Sequence, residues 1–413
     1  MIVKPMIRSN ICLNAHPVGC AKEVENQIAF VKAQNTKRGR TPGSPISGGS
    51  HAGGETAPLK AVLVVGCSTG YGLASRITAS FGYGAATVGV SYENEGTETK
   101  SGTPGWYNNL AFDRAAGNAG IPSITINGDA FSDKVRAEVI EAAKKFGITF
   151  DLVVYSLASP VRTDPDTGEL YRSVLKPFGK PYSGKTLDVM TGELSDRTIE
   201  VATEDEAAQT VKVMGGEDWQ RWMTQLEKAG VLAKGCTTVA YSYIGPDLSH
   251  AVYRDGTIGE AKKHLEATAR QMNETLGKTL GGSAYVSVNK GLVTRSSAVI
   301  PVIPLYLSVL FKVMKEKGNH EGCIEQIERL YAERLYAKTS VPLDENNLIR
   351  IDDYEMSPDV QNAVNDRMAQ LTQENVAELA DLDGYRHDFL VTAGFDVPGV
   401  DYDADIALNT VGA

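Results

Sequence analysis

Leu59-Lys-Ala-Val-Leu-Val-Val-Gly66-Cys67-Ser68-Thr69-Gly70-Tyr71-Gly72-Leu-Ala-Ser-Arg-Ile77 decides the fold. An apolar run stops at a glycine and becomes an amphipathic segment, the pattern of a buried parallel strand, a tight turn and a helix. Gly66 lets the chain turn, Gly70 admits backbone close to a pyrophosphate, and Gly72 allows the helix to pack tightly on the strand. The phosphate charge then faces the helix N-terminus. The spacing is Gly-x3-Gly-x-Gly, not the commoner G-x-G-x-x-G, so the motif needs support from elsewhere in the chain. A second strand, Ala85-Ala-Thr-Val-Gly-Val-Ser-Tyr92, supplies some: it ends at Glu93, about 20 residues past the last glycine, where a ribose-binding acid belongs. A carboxylate there favours NADH, because it would repel a 2′-phosphate. The same turn also fits G-x-S-x-G, a hydrolase nucleophile elbow on Ser68, with His250, His264, His320 or His387 as base. Chain order argues against that, since an elbow needs several strands before it.

Outward from this turn, strand and helix patterns alternate. Strands are expected near 60–66, 86–92, 122–127 and 150–156, and helices near 71–81, 106–118 and 133–146. That is the βαβ rhythm of a Rossmann-like α/β fold, a doubly wound parallel sheet with helices on both faces. Phe150-Asp-Leu-Val-Val-Tyr-Ser156-Leu-Ala158 ends the fourth strand in small residues, suited to close approach of a cofactor. Asp129, after Asn127-Gly128, reads equally as an adenine contact or a turn acid. The rhythm breaks at 160–230, a turn-rich antiparallel insertion expected over the active site and ending in a helix from Asp218. The sheet resumes at Thr237–Gly245 and Ala284–Lys290. Mostly helices are expected beyond 320, with a short hairpin around Asn347–Asp352. An N-terminal helix from Ala21 to Gln34 precedes a Gly/Ser/Pro-rich flexible loop at 35–57. The whole of 1–413 is expected to form one large reductase domain, with substrate-side helices at 296–335.

The chemistry is expected between the late strands. Tyr253 is followed, after eight residues, by Lys262, and Asp255-Gly256-Thr257 should start the helix that carries the lysine. A phenol and an ammonium downstream of a dinucleotide turn are the parts needed to manage the charge that hydride delivery creates. Tyr243, ten residues before Tyr253, could be a second phenol on an oxyanion. A binding protein that merely senses NADH would need the glycine turn and Glu93 but neither Tyr253 nor Lys262.

Composition sets the outer bounds. A net charge of −10 and a pI near 5.3 leave no electrostatic footprint for nucleic acid or an anionic membrane surface. Five cysteines without a C-x-x-C pair suggest neither a disulfide scaffold nor a zinc or other metal site, and they fit a reducing cytoplasm. Ala298–Phe311 is apolar but carries two prolines and falls short of the ~20 residues a membrane span needs. It reads as core or as the wall of an acyl pocket.

Gly66-Cys-Ser-Thr-Gly-Tyr-Gly72, Gly105-Trp-Tyr-Asn108, Asn127-Gly-Asp-Ala130, Val154-Tyr-Ser-Leu-Ala-Ser-Pro160, Val213-Met-Gly-Gly-Glu-Asp-Trp219, Ala240-Tyr-Ser-Tyr-Ile-Gly-Pro246 and Tyr253-x8-Lys262 closely resemble the trans-2-enoyl-CoA reductase and FabV-type enoyl-ACP reductase family. That family is similar to short-chain dehydrogenases, with Tyr-x8-Lys in place of Tyr-x3-Lys. The resemblance implies NADH-dependent reduction of the C2=C3 double bond of enoyl thioesters by a largely monomeric enzyme, with Tyr253 and Lys262 catalytic. It further implies cofactor contacts from Gly66, Ser68, Gly70, Tyr71, Gly72, Glu93, Asp129, Ala130, Leu157, Ala158, Lys262, Val293 and Thr294, and substrate contact from Tyr243. Asn14–Cys20 and Lys315–Gln326 look more like the enoyl-CoA enzymes than the ACP-linked ones, which favours short-chain enoyl-CoA such as crotonyl-CoA.

Overall fold

Ala61–Val65 (β1) is an inner strand of a seven-stranded sheet, and all five of its residues are buried because helices cover both faces. The other strands are Ala86–Ser91 (β2), Ser123–Asn127 (β3), Phe150–Tyr155 (β4), Leu232–Ser242 (β5), Ser283–Val288 (β6) and Ile349–Arg350 (β7). Their spatial order is β7-β6-β5-β4-β1-β2-β3, every pair parallel. The chain runs outward from β1 to β3, then returns to the other side of β1, so the order reverses between β1 and β4. The crevice beyond that pair, at the carboxyl ends of the strands, is where ligands bind in such sheets. This computed structural model describes residues 1–8, 11–44, 58–188, 190–295, 297, 303–337 and 340–411.

Alternation along β1 splits the core in two. Val62 and Val64 pack with Val24 and Val31 of Pro17–Arg38 (α1), Leu73 and Ile77 of Gly70–Ile77 (α2), and Phe112 of Pro104–Asn118 (α3). Leu63 and Val65 face Val135 and Val139 of Asp133–Lys145 (α4) on the opposite side. Two antiparallel ribbons, Val161–Thr163 with Leu170–Arg172 and Tyr182–Leu187 with Leu194–Ile199, form the expected insertion. It continues into two helices, Glu204–Met214 (α5) and Glu217–Lys228 (α6), the first not anticipated although Thr203 and Glu206 cap it reciprocally. Asp247–His250 (α7) and Thr257–Leu280 (α8) follow β5, and α8 packs Leu265 and Met272 onto the sheet.

Three expectations need correction. α1 runs beyond Gln34 to Arg38 and stops at Gly39, whose φ of 62° suits a glycine cap, so residues 35–38 are helix; residues 45–57 of the proposed loop lie outside the described residues. The 347–352 hairpin is instead β7, a parallel edge strand on Ser287 and Val288. Its turn was legible, with the Asp344 carboxylate accepting the Asn346 and Leu348 amides, but its partner lies sixty residues upstream. Of the described helices in 296–335, only Ile303–Lys317 (α9) borders the crevice; Cys323–Leu330 (α10) packs Ile327 and Leu330 into the α1–α2 core instead. Pro358–Gln370 (α11), Val376–Leu379 (α12) and Leu382–Val391 (α13) complete the helical end and enclose the apolar face of α9. Among the described residues no helix is long and apolar enough to cross a membrane.

Candidate active site

A cavity of about 780 Å³ opens at the β1/β4 reversal. Gly66 ends β1 with φ 88°, and a Cβ there would lie 2.1 Å from the Ser156 carbonyl oxygen, so only glycine permits the two strand ends to meet. Gly72 is packed against the Gly66 carbonyl in the same way, which seats α2 directly on the turn. Thr69 precedes α2 in extended conformation without a side-chain cap, leaving the first helical amides facing the cavity. Tyr71 fixes the far wall by donating to the Lys290 carbonyl at 2.6 Å.

Glu93 lies across the turn. Its carboxylate accepts the Ser68 hydroxyl at 2.6 Å and has Arg295 at 3.5 Å, while Asn127 holds its backbone from both sides. Asp129 is the turn acid its sequence allowed, accepting the Phe131 amide at 2.9 Å, and it lines the cavity. Ala130, Leu157 and Ala158 also line it, as do Gly66, Ser68, Gly70 and Thr294. Val293 does not; its side chain turns into the core around α9. Gly72 stays behind the wall.

Tyr253 stands in the turn between α7 and α8, and Lys262 in the second turn of α8, and both reach the cavity. Burial pushes the Tyr253 phenol up to about 12, so it is protonated at neutral pH, and its hydroxyl has no partner among the described residues. Lys262 is 8% exposed, with Nζ 3.4 Å from the Tyr241 carbonyl. Burial lowers its pKa to about 8, opposed by the Glu266 carboxylate. Tyr243 meets Tyr253 edge to face at 5.1 Å.

Sequence reading missed Lys290, Glu355 and Tyr306. Lys290 could have been found, since it follows β6 at the same sheet edge; Glu355 and Tyr306 carry no local signal. Ser68 gives its proton to a carboxylate, and each candidate histidine is engaged elsewhere: His250 with the Gly245 carbonyl, His264 with the Gly216 amide, His320 against Phe311 and His387 with Asp396. That leaves the hydrolase reading without a base.

Fold and cleft together define a Rossmann-type, dinucleotide-dependent oxidoreductase. Family models match residues 2–98 as the NAD(P)H binding domain of trans-2-enoyl-CoA reductase, 100–336 as the trans-2-enoyl-CoA reductase catalytic region and 343–406 as an enoyl reductase FAD binding domain. The Treponema denticola trans-2-enoyl-CoA reductase [NADH] is 64% identical over 98% of both chains. The crystal structure of the T. denticola enzyme in complex with NAD superposes with a TM-score of 0.91, at 63% identity and 98% coverage of both chains. An enoyl-[acyl-carrier-protein] reductase [NADH] of Flavobacterium johnsoniae is 52% identical over 98% of this chain and 97% of its own. The chain belongs to the trans-2-enoyl-CoA reductase family.

The glycine turn, uncapped α2 and Glu93 fit an adenine dinucleotide. The 343–406 segment does not fit a flavin of its own: its described part is a two-residue strand and three helices, with no strand–glycine turn–helix to receive a pyrophosphate. Phe389, Thr392 and Ala393 from this segment instead complete the wall of the one cavity described above.

Proposed function

We propose that the protein reduces the C2=C3 double bond of trans-2-enoyl thioesters with NADH, short-chain enoyl-CoA such as crotonyl-CoA being the favoured substrate. The observation that carries this is a protonated Tyr253 hydroxyl, without a partner among the described residues, set with the Lys262 ammonium on the cavity that begins at the Gly66 turn. Bound NADH would supply the hydride that reaches C3. Charge then accumulates on the thioester oxygen, and the Tyr253 phenol donates to that oxygen and can pass its proton on. Lys262 holds the nicotinamide ribose and keeps the local potential positive. Glu93 takes the adenosine ribose hydroxyls and disfavours a 2′-phosphate. Apolar Leu307 and Ile303 of α9 give the acyl chain a dry wall.

The higher identity to a CoA-named relative than to an ACP-named one supports the CoA ester. We further propose a monomer, acting in the cytoplasm as one reductase unit. The pairing of β1 with β4 supports a single unit, because it joins the first family-model segment to the second. NADH consumption by the purified protein with crotonyl-CoA and crotonyl-ACP, with NADPH as control, tests the reading. Oxidation of NADH with the CoA ester is expected. Turnover with the ACP ester alone would move the protein to fatty-acid synthesis, and none with either would revive an NADH sensor.

A further inference from the structure

Glu355 lies in the turn after β7, fully buried, and is bonded to two residues of the cavity wall, Tyr243 and Gly291. Its Oε1 accepts hydrogen bonds from the Tyr306 hydroxyl at 2.6 Å and the Tyr243 hydroxyl at 3.1 Å, and its Oε2 accepts the Gly291 amide at 2.6 Å. Lys290 reaches back to the other side of the same residue, Nζ to the Gly291 carbonyl at 3.2 Å. A carboxylate this deep is costly unless its oxygens are satisfied. Here three donors converge on it, from the segment after β5, from α9 and from the segment after β6.

A phenol has one proton to give. That of Tyr243 goes to Glu355, so Tyr243 cannot at the same time donate to a substrate oxygen; the second oxyanion phenol expected from sequence is occupied. Tyr71 spends its proton on the Lys290 carbonyl. Ser75 gives its own to the Tyr71 carbonyl, which makes Tyr241 the donor in the Tyr241–Ser75 contact. Of the inner tyrosines on the wall, Tyr253 is left uncommitted.

We propose that Glu355 is a positioning residue of the reductase site: by taking the Tyr243 proton and fixing that ring edge-on to Tyr253, it leaves Tyr253 as the phenol that donates into the cleft. The proposal rests on the reductase reading above. It gives the 343–406 segment a part in the reaction that needs no flavin.

The test is a double-mutant cycle on Glu355→Gln and Tyr243→Phe, read by kcat and KM with crotonyl-CoA, by the NADH dissociation constant from fluorescence, and by the thermal midpoint. Wild-type turnover comes first, since its absence would fail the reductase reading and leave the cycle unread. The Gly291 N–H can only donate, so the glutamine oxygen turns to it and the amide NH2 faces the two phenols, which can accept; Tyr243, its proton no longer taken, then competes with Tyr253. Glu355→Gln is expected to lower kcat about ten-fold or more with NADH affinity within about two-fold. In the Tyr243→Phe background the same change should cost less than about two-fold, because the phenol it releases is gone. Additive losses, or wild-type kcat in Glu355→Gln, would overturn the proposal. Should Glu355→Gln not fold, Tyr243→Phe alone decides: a loss below about ten-fold is expected, whereas the 10²–10³-fold loss of a direct oxyanion donor, on the order seen when such a donor is removed, would overturn it.

Discussion

At the residue scale the cleft separates groups by where their protons are spent. Tyr253→Phe should lower kcat by about 10²–10³ while the NADH dissociation constant, read by fluorescence, changes little, because the phenol acts on charge absent from the ground state. Equal losses in both would remove Tyr253 from that role. Glu93→Ala should raise activity with NADPH relative to NADH, helped by Arg295, which loses its carboxylate partner at 3.5 Å and is then free to meet a phosphate. An unchanged cofactor ratio would take Glu93 out of the ribose site. Lys262 titrates at about 8 in the fold against 10.5 for a free lysine. The ammonium is the working form, so kcat/KM should fall as pH rises through about 8, and a Lys262→Met variant should lack that limb. Stability runs the other way: above about 8 the unfolded chain keeps a proton the folded site has released, so this group favours folding more as pH rises toward 10.5. That Tyr253, Lys262 and Glu93 would reach one cavity was legible, because each has a fixed offset from a glycine turn or helix start. Glu355 was not, because it reaches Tyr243 from 112 residues downstream.

At the element scale, the strand–turn–helix around Gly66 is held together by contacts that admit no side chain. A Cβ at Gly72 would lie 1.8 Å from the Gly66 carbonyl oxygen, so Gly72→Ala must push α2 off the turn. The expected cost is about 1–3 kcal/mol, seen as a lower thermal midpoint, together with weaker NADH binding, since the α2 amides move with the helix. Retained affinity at unchanged stability would mean that α2 does not carry the phosphate. The long periodic elements were readable from sequence: β1 to β4 and α2 to α4 fall close to their expected places, because apolar period and glycine punctuation agree there. β7 failed because two residues give no period, and α5 because it follows two ribbons whose turn chemistry dominates the local pattern.

At the scale of the whole molecule, distant segments close on one another through buried charge. Glu328 of α10, 2% exposed, accepts Arg38 at 3.0 Å and Arg40 at 2.9 Å, tying the end of α1 to an element almost three hundred residues later. Glu328→Ala leaves Arg38 with Glu333 at 3.0 Å and takes from Arg40 its carboxylate partner, so it should cost about 1–3 kcal/mol in chemical denaturation. The cleft lies on the other side of α2, so KM for NADH should hold; a change in KM without a change in stability would contradict the clamp. No sequence pattern announces such a pairing, since a lone glutamate in an amphipathic helix reads as a solvated face. The sheet order carries a consequence for synthesis. On the ribosome β1, β2 and β3 emerge first and can pair, yet the open edge of β1 waits for β4, and the face shared by α1 and α2 stays uncovered until α10 leaves the exit tunnel. For most of its translation the nascent chain therefore holds a half-sheet with an exposed apolar edge, the kind of intermediate that chaperones recognise.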